Sequence, residues 1–337
     1  MNKTDKIYVA GHRGLVGSAI MRLLQSNKYS NIIVRTHKEL DLLDQKAVYT
    51  FFDIEKPEYV FFAAGKVGGI GAHITYPADF IYQNVMMGFN IVQASHTFSV
   101  KKLINLSASA VYPRLAEQPI KEESILTGPL EPSNEAYAIA KLSVIKLCSS
   151  YNKQYGTNFL SVLPCNIYGQ GDKYDIENSS VLPAMIRKFH EAKVTKRNEV
   201  VFMGDGSPYR EFLYNEDLAS MLIFLMERTD AVDMRNTAGD FISVGSGNDV
   251  TIKELAETIR TVVYENEFHA GGNLSPDKIC RIIWDTSKPN GIPRRLLDIS
   301  RLSALGCQAT TELYEGIKKA YADFLERHKK PGVVRVC

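Results

Sequence analysis

The sequence predicts an α/β fold in which a doubly wound parallel sheet is followed by a smaller C-terminal α/β domain. Short apolar runs alternate with stretches of helical period, a glycine-rich turn follows the first run, and the 337 residues exceed the usual size of one domain. Strands joined in this way by helices form parallel sheets through right-handed crossovers. We expect a larger domain from residues 1–165 and part of 205–250, a smaller one from 166–204 and 251–328, and a tail at 329–337.

Each predicted element follows from local periodicity. Apolar runs predict strands at 6–10, 31–35, 59–63, 102–106 and 159–163. Helical period predicts helices among them at 15–24, 78–98 and 136–155. After residue 164 the chain becomes rich in Gly, Asp and Asn, and it then shows a strand pattern at 200–203 and helical patterns at 182–192, 215–227 and 252–264. Thr251 and Glu254 form a capping-box pattern at the start of the helix at 252–264.

Composition and charge limit the possible function classes. The 40 basic and 38 acidic side chains give a net charge of +2, which is too small for a global field that would attract nucleic acid or an anionic membrane. No apolar run approaches the roughly 20 residues that cross a bilayer, and the first residues lack the apolar core of a secretory signal. The five cysteines have no metal-binding spacing, and their odd number argues against a disulfide framework. We therefore expect a cytoplasmic protein with reduced thiols and no metal site.

A glycine triplet after the first predicted strand is typical of dinucleotide binding. Gly11, Gly14 and Gly17 are spaced by three residues and open the first predicted helix. Glycine permits a tight turn and a close approach of a pyrophosphate to the backbone, while the positive end of the helix attracts the phosphates. The residues between the glycines belong to the predicted cofactor site as well: His12, Arg13, Leu15 and Val16. The alternative is a flexible turn that binds no ligand.

The end of the second predicted strand favours NADP(H) over NAD(H). An NAD site usually has an acidic residue there, which binds the ribose 2′-hydroxyl. This chain instead has Arg35, whose guanidinium can pair with a 2′-phosphate, and Lys38 lies close by. The alternative is that Arg35 is a solvated strand end. The predicted cofactor site also includes residues farther along the chain: Thr36, Asp41, Leu42, Ala63, Ala64, Lys66, Leu106, Pro164, Asn166 and Ile167.

Tyr137 and Lys141 form the candidate catalytic pair. They are four residues apart and therefore share one face of the predicted helix at 136–155. A neighbouring ammonium favours phenolate, so Lys141 would lower the pKa of Tyr137 from about 10 toward neutral pH. Tyr137 could then deliver a proton to a carbonyl oxygen as hydride arrives at the carbon. The alternative, an exposed helix face, is disfavoured because the pair follows a dinucleotide fingerprint.

Together these motifs resemble the GDP-L-fucose synthase family of extended short-chain dehydrogenases/reductases. The similar stretches extend over nearly the whole chain, and several are long: 11–20, 64–70, 75–84, 131–141, 210–212 and 287–294. The resemblance implies a Rossmann domain that binds NADPH, a C-terminal domain that binds a GDP-linked keto sugar, and a homodimer packed through two long helices of each subunit. Tyr137 would be the proton donor to the C4 oxygen of the sugar, and Lys141 would hold the nicotinamide ribose.

The resemblance also implies a set of substrate contacts. Three basic residues would bind the diphosphate or the sugar: Lys188, Arg210 and Lys288. The predicted substrate site further includes Ser109, Tyr137, Asn166 and Met203. For Lys188 and Lys288, a solvated charge on a helix or loop is the alternative.

The chain departs from the family at the residues that epimerise the sugar. Ala108 replaces a serine that binds the substrate oxygen, Ala110 replaces the cysteine base, and Ser180 stands where the family has a histidine acid. A methyl group cannot exchange a proton, so we expect C3/C5 epimerisation to be lost while reduction persists. Ser107 or Ser109 would have to replace the missing serine, although neighbouring residues of a strand face opposite sides.

The sequence thus predicts a C4 reductase that acts on a GDP-4-keto-6-deoxy-sugar or a GDP-4-keto-heptose. Three alternatives stay open: a bifunctional GDP-L-fucose synthase with a relocated acid/base pair, a non-catalytic NADPH-binding protein, and alanines that were introduced deliberately to trap a complex. A 4,6-dehydratase is disfavoured, because the carboxylates that it needs have no counterpart at Ser109 and Ala110.

Overall fold

Strands and helices alternate along the computed structural model, which describes residues 1–176, 179–270, 276–288 and 290–328. The strands are β1 (Ile7–Ala10), β2 (Ile32–Ile33), β3 (Tyr59–Phe62), β4 (Lys102–Leu106), β5 (Phe159–Pro164), β6 (Asn166–Tyr168), β7 (Glu199–Met203), β8 (Tyr209–Tyr214), β9 (Arg235–Asn236), β10 (Gly239–Val244), β11 (Asp249–Thr251), β12 (Arg281–Asp285) and β13 (Arg294–Arg295). The helices are α1 (Leu15–Ser26), α2 (Gln45–Glu55), α3 (Ile70–Thr75), α4 (Pro77–Thr97), α5 (Glu135–Tyr155), α6 (Val181–Val194), α7 (Asn215–Arg228), α8 (Ile252–Val263), α9 (Glu265–Ala270), α10 (Pro276–Ile279), α11 (Ser300–Ala304) and α12 (Leu313–His328).

The central sheet has the strand order β2-β1-β3-β4-β5-β10-β9. β9 is antiparallel to β10, and the other neighbouring strands are parallel. β1 pairs with β2 on one side and with β3 on the other. The chain therefore winds away from β1 in both directions, which leaves a crevice at the carboxyl ends of β1 and β3. The predicted doubly wound α/β fold is confirmed.

Alternating side chains of the strands pack on opposite layers of helices. Ile7 and Val9 of β1 belong to one hydrophobic core, which includes residues of α1 and α7. Tyr8 and Ala10 belong to another core, which includes residues of α2 and α4. Because both faces of the sheet are covered, its strands are apolar on both sides.

A third core lies outside the central sheet. It is formed by α6, α8 and α12 together with the strands β7 and β12. Beside it, β8 pairs with β6, β11 and β13. Cys165 alone separates β5 in the central sheet from β6. The central sheet and the sheet around β8 are therefore connected by a joint of one residue.

Buried polar residues explain why the sequence did not reveal β10. This strand has no continuous apolar run, because Asp240 and Ser243 interrupt it. In the structure, Asn152 Nδ2 donates a hydrogen bond to Asp240 Oδ2 at 2.9 Å, and the hydroxyls of Ser243 and Tyr112 lie 2.7 Å apart. Both polar residues are thus satisfied inside the fold, as buried polar groups must be.

Several smaller predictions can be compared with the structure. The predicted capping box is confirmed, because Glu254 N donates to Thr251 Oγ1 at 3.0 Å and Thr251 N donates to Glu254 Oε2 at 2.8 Å. The strand predicted at 31–35 is limited to Ile32–Ile33. The predicted tail at 329–337 lies outside the described residues. Within the described ranges, none of the helices has the length and apolarity of a membrane span, and no cluster of His, Cys, Asp and Glu suits a metal ion.

Replacing Lys102 by methionine is expected to lower the free energy of unfolding by about 3 kcal/mol, because buried carbonyl oxygens would lose their donor. Lys102 is 3 % exposed, and its Nζ donates to the carbonyl oxygens of Leu225 and Met226 at 2.6 and 2.9 Å, and to that of Thr229. Burial lowers the pKa of Lys102 to about 8. Since this folded value lies below the unfolded one, Lys102 should add stability as the pH rises from about 8 toward about 10.4.

Urea denaturation at several pH values would measure both effects of the Lys102 substitution. Lys101 is a matched control, because it is exposed and pairs with Glu58 at the surface. Its replacement by methionine should cost less than about 1 kcal/mol. Equal losses for the two variants would contradict the role assigned to Lys102.

Candidate active site

The turn between β1 and α1 is packed too tightly for side chains. Gly11 has a φ of +85°, a conformation that favours glycine. A Cβ atom on Gly17 would lie 2.1 Å from the carbonyl oxygen of Gly11, and one on Gly11 would lie 2.7 Å from the backbone nitrogen of Ala64. The first turn of α1 has no acidic residue, and its N-cap residue, Gly14, has no side chain that could cap the helix. The turn therefore offers a positive helix end and a close backbone, which suit the pyrophosphate of a dinucleotide.

Arg35 follows β2 and is paired with an acidic residue. Its Nη2 donates to Glu55 Oε1 at 2.5 Å. Hydrogen bonds from Thr36 hold the pKa of Glu39 below its ordinary value, and the charges of Arg35 and Arg13 add to this effect. Positive charge at this corner of the sheet is thus partly balanced. A 2′-phosphate bound here would share Arg35 with Glu55.

The loop after β3 is tied to α4 by an asparagine. Asn84 Oδ1 accepts from Lys66 N at 3.0 Å, and Asn84 Nδ2 donates to the Lys66 carbonyl at 3.0 Å. Lys66 Nζ donates to Asp79 Oδ2 at 2.7 Å. A Cβ atom on Gly65 would lie 3.0 Å from Asn84 Oδ1 and 3.4 Å from Lys141 Nζ. Sequence reasoning missed Asn84, whose signal is a polar residue on the buried face of a predicted helix.

Most of the remaining predicted cofactor residues lie near the central sheet, and two lie in the sheet around β8. Four lie at or just beyond the carboxyl ends of central strands: Ala63, Ala64, Leu106 and Pro164. Three lie in the segment between β2 and α2: Thr36, Asp41 and Leu42. His12 lies in the glycine turn, and its Nδ1 is buried without a hydrogen-bond partner among the described residues. Asn166 and Ile167 instead belong to β6, and Asn166 Nδ2 donates to the Glu211 carbonyl at 2.9 Å.

Tyr137 and Lys141 are both buried on α5, at the carboxyl edge of the central sheet. Lys141 Nζ donates to the Leu106 carbonyl at 3.0 Å and lies 5.9 Å from the centre of the Tyr137 ring. Burial lowers the pKa of Lys141 to about 8 and raises the pKa of Tyr137. The sequence predicted a lowered pKa for Tyr137, but burial outweighs the neighbouring ammonium here. Tyr137 therefore keeps its proton at neutral pH and has the form of a proton donor.

Small and aromatic residues surround Tyr137. It shares a buried cluster with Phe80 and Ala110, and Ala108 packs at the edge of this cluster. The ring centre of His73 lies 5.1 Å from that of Tyr137 and 4.1 Å from that of Phe80. The two alanines at which the sequence departs from the expected pattern thus lie beside the candidate proton donor.

The backbone after β4 differs from the strand that was expected at Ser107 and Ser109. β4 ends at Leu106, and Ser109–Val111 form a 3₁₀ turn, so the alternation of a strand does not apply to Ser107 and Ser109. Both serines are buried. Ser107 Oγ has no hydrogen-bond partner among the described residues, which leaves it free for a ligand oxygen. Ser107 is therefore a candidate carbonyl-binding residue alongside Ser109.

Arg295 is a functional candidate that sequence reasoning missed. It is 8 % exposed, and its Nη1 donates to the Ser109 carbonyl at 2.9 Å. Its Nε and Nη2 are buried, and neither has a hydrogen-bond partner within the described ranges. Burial, and then the charge of Arg210, lower the pKa of Arg295 to about 10. Two neighbouring guanidinium groups, one of them with unused donors, suit an anion such as a diphosphate.

The other predicted substrate residues are more dispersed. Lys188 Nζ donates to the Val201 carbonyl of β7 at 3.1 Å. Lys288 is exposed in the loop after β12, and Met203 at the end of β7 is 65 % exposed. Ser180 is the exposed N-cap of α6. The structure thus brings Arg210, rather than Lys188 or Lys288, next to the buried Arg295.

Comparisons with known proteins agree with this geometry. Residues 7–238 match the model of the NAD dependent epimerase/dehydratase family. The chain is similar to the GDP-L-fucose synthase of Escherichia coli, with 46% identity over 329 residues that cover 97% of this chain and 98% of the relative.

Two solved structures from Campylobacter jejuni are also similar. One is a GDP-6-OMe-4-keto-L-xylo-heptose reductase, with 33% identity, a TM-score of 0.89, and coverage of 97% of this chain and 99% of that chain. The other is a GDP-mannoheptose C4 reductase with NADP bound, with 35% identity, a TM-score of 0.84, and coverage of 96% and 99%.

Proposed function

This chain belongs to the NAD dependent epimerase/dehydratase family and, within it, to the GDP-L-fucose synthase family, and we propose that it is a dedicated C4 reductase of a GDP-linked 4-keto sugar. The chain is an NADP-dependent oxidoreductase. The observation that carries the proposal is the buried pair of Tyr137 and Lys141, which faces alanines instead of an acid/base pair for epimerisation. The sugar is a 6-deoxyhexose or a heptose.

The cofactor binds along the carboxyl edge of the central sheet. The turn at Gly11, Gly14 and Gly17 holds its pyrophosphate, and Arg35 binds its 2′-phosphate. Lys141 holds the nicotinamide ribose. When bound, NADPH supplies the hydride that is added to C4.

Tyr137 donates its phenolic proton to the C4 oxygen. Because burial raises its pKa, the phenol is protonated before the reaction and becomes a strong base after it. Lys141, with a pKa of about 8, still carries its charge at neutral pH and stabilises the phenolate that forms. Ser107 Oγ binds the same carbonyl oxygen and fixes its direction toward Tyr137.

The GDP moiety binds between the central sheet and the sheet around β8. Arg295 and Arg210 pair with the diphosphate, whose oxygens accept from the unused donors of Arg295. Arg295 also donates to the Ser109 carbonyl, so the same side chain connects the diphosphate to the segment beside Tyr137. We assign the sugar to the space between this segment and Tyr137.

Loss of epimerisation follows from the side chains that remain. Inversion at C3 and C5 needs a base on one face of the sugar and an acid on the other. Ala110 beside Tyr137 has only a methyl group, and Ser180 at the start of α6 has an ordinary hydroxyl. Reduction needs neither group, because Tyr137 supplies the proton.

The oxidation of NADPH with GDP-4-keto-6-deoxy-mannose in D₂O tests the proposed function. We expect reduction without deuterium at C3 or C5 when no epimerase is added, and deuterium at these carbons only when a C3/C5 epimerase is present, once exchange in an enzyme-free control has been subtracted. Mass spectrometry and NMR of the product would locate the deuterium. Deuterium at C3 and C5 without the added epimerase would instead establish a bifunctional enzyme, and no NADPH oxidation with hexose or heptose substrates would favour a binding protein.

We further propose that the protein is a cytoplasmic homodimer that packs through α4 and α5. Large apolar residues are exposed on these helices: Tyr82, Phe89 and Ile139. Their burial against a second subunit would remove apolar surface from water. Light scattering of the purified protein would test this assembly, and a monomeric mass at micromolar concentration would contradict it.

A further inference from the structure

His73 lies beside the proton donor but has no part in the reduction described above. It belongs to α3, which follows the loop after β3. Its ring centre is 5.1 Å from that of Tyr137 and 4.1 Å from that of Phe80. The imidazole is therefore held by two aromatic neighbours directly beside the proposed proton donor.

One nitrogen of this imidazole is free for a ligand. Its Nδ1 is buried with no hydrogen-bond partner among the described residues. Burial lowers the pKa of His73, so the ring is neutral at neutral pH. A neutral imidazole that donates through its other nitrogen has an acceptor at Nδ1. The partner that this site lacks is thus a hydroxyl or N–H donor.

We propose that His73 Nδ1 accepts a hydrogen bond from the C3 hydroxyl of the keto sugar and thereby selects substrates that carry this hydroxyl. This inference rests on the proposed function, in which Tyr137 donates to the C4 oxygen. C4 has two ring neighbours, of which C5 carries the ring oxygen and a carbon substituent. C3 is therefore the neighbour that presents a hydroxyl next to the carbonyl, within the region that Tyr137 and His73 enclose.

A specificity role follows from the cost of an unpaired buried acceptor. A substrate with the C3 hydroxyl satisfies Nδ1, whereas a 3-deoxy substrate leaves it unpaired and excludes the water that could replace it. The discrimination expected from one such contact is about 10- to 100-fold in kcat/KM. Removing the His73 acceptor should therefore lower kcat/KM chiefly for the hydroxylated substrate, since the 3-deoxy substrate never makes the contact.

The test compares GDP-4-keto-6-deoxy-mannose with its 3-deoxy analogue in NADPH oxidation assays. The unmodified enzyme should prefer the hydroxylated substrate by at least about tenfold. His73→Phe keeps an aromatic ring between Tyr137 and Phe80 but has no acceptor, and it should bring the two kcat/KM values within about threefold of each other. His73→Asn restores a side-chain acceptor and should recover part of the preference. His96→Phe is a matched control, because His96 is on α4 and stacks on Tyr155 of α5 rather than on Tyr137.

Each outcome of this comparison decides the proposal. An unchanged preference in His73→Phe, or an equal loss with both substrates, would overturn it. Weaker NADPH binding in His73→Phe with an unchanged preference would show that Nδ1 serves the cofactor instead. If the unmodified enzyme reduced neither substrate nor any heptose counterpart, the proposed function would fail first, which is a different result from a reductase without C3 discrimination.

Discussion

Replacing Tyr137 by phenylalanine is expected to lower kcat for NADPH-dependent reduction by about a thousandfold. The variant keeps the ring that packs against Phe80 and Ala110 but loses the proton that the C4 oxygen needs. Because Tyr137 is buried, water has little access to replace that proton. Stopped-flow or steady-state assays of NADPH oxidation with GDP-4-keto-6-deoxy-mannose would measure the loss of kcat.

The same variant should bind NADPH nearly as well as the unmodified protein, which fluorescence titration would show. Tyr151→Phe is a matched control on the same helix, since Tyr151 hydrogen-bonds Gln93 rather than the site. Activity within tenfold of normal in Tyr137→Phe would contradict the assignment. It would then point to the hydroxyl of Ser107 or Ser109 as the proton donor.

Replacing Arg295 by methionine is expected to raise the KM for the GDP-linked substrate by about 100-fold, because two hydrogen bonds to a charged group would be lost. Arg295 is buried, and its Nε and Nη2 have no partner among the described residues. In Arg295→Lys the charge remains, but the planar fork is lost, so an intermediate KM is expected. Initial rates over a range of substrate concentrations would give KM and kcat separately.

Arg294 provides a control for the Arg295 series. It is the preceding residue, it is about half exposed, and it pairs with Asp249 at 2.6 Å. Arg294→Met should change the substrate KM by less than about threefold. If Arg295→Met instead weakened NADPH binding and left the substrate KM unchanged, Arg295 would belong to the phosphates of the cofactor.

Local spacing explains what the sequence could predict. Gly11, Gly14 and Gly17 lie within one turn, and Tyr137 and Lys141 lie within one helix, so their spacing in sequence fixes their relative position in space. The capping box at Thr251 was predictable for the same reason. Such motifs need no knowledge of the tertiary fold.

Contacts between distant segments explain what the sequence could not predict. Arg295 meets Ser109 across 186 residues, and only the meeting of β13 with the turn after β4 brings them together. Burial is equally non-local: the raised pKa of Tyr137 comes from residues packed around it and not from its neighbours in sequence. Lys188 stays a predicted ligand contact, although one donor of its Nζ is directed to the Val201 carbonyl.

The one-residue joint at Cys165 has an evolutionary consequence. β5 and β6 pair in different sheets, and an inserted residue between them would turn every side chain of β6 to the opposite face. Lengthening this joint would therefore need either a local bulge or a rebuilt sheet around β8, whereas side chains and surface loops can change freely. New sugar preferences should therefore arise by side-chain substitutions on an unchanged backbone. The distance from the hydride donor to the carbonyl carbon should then stay the same.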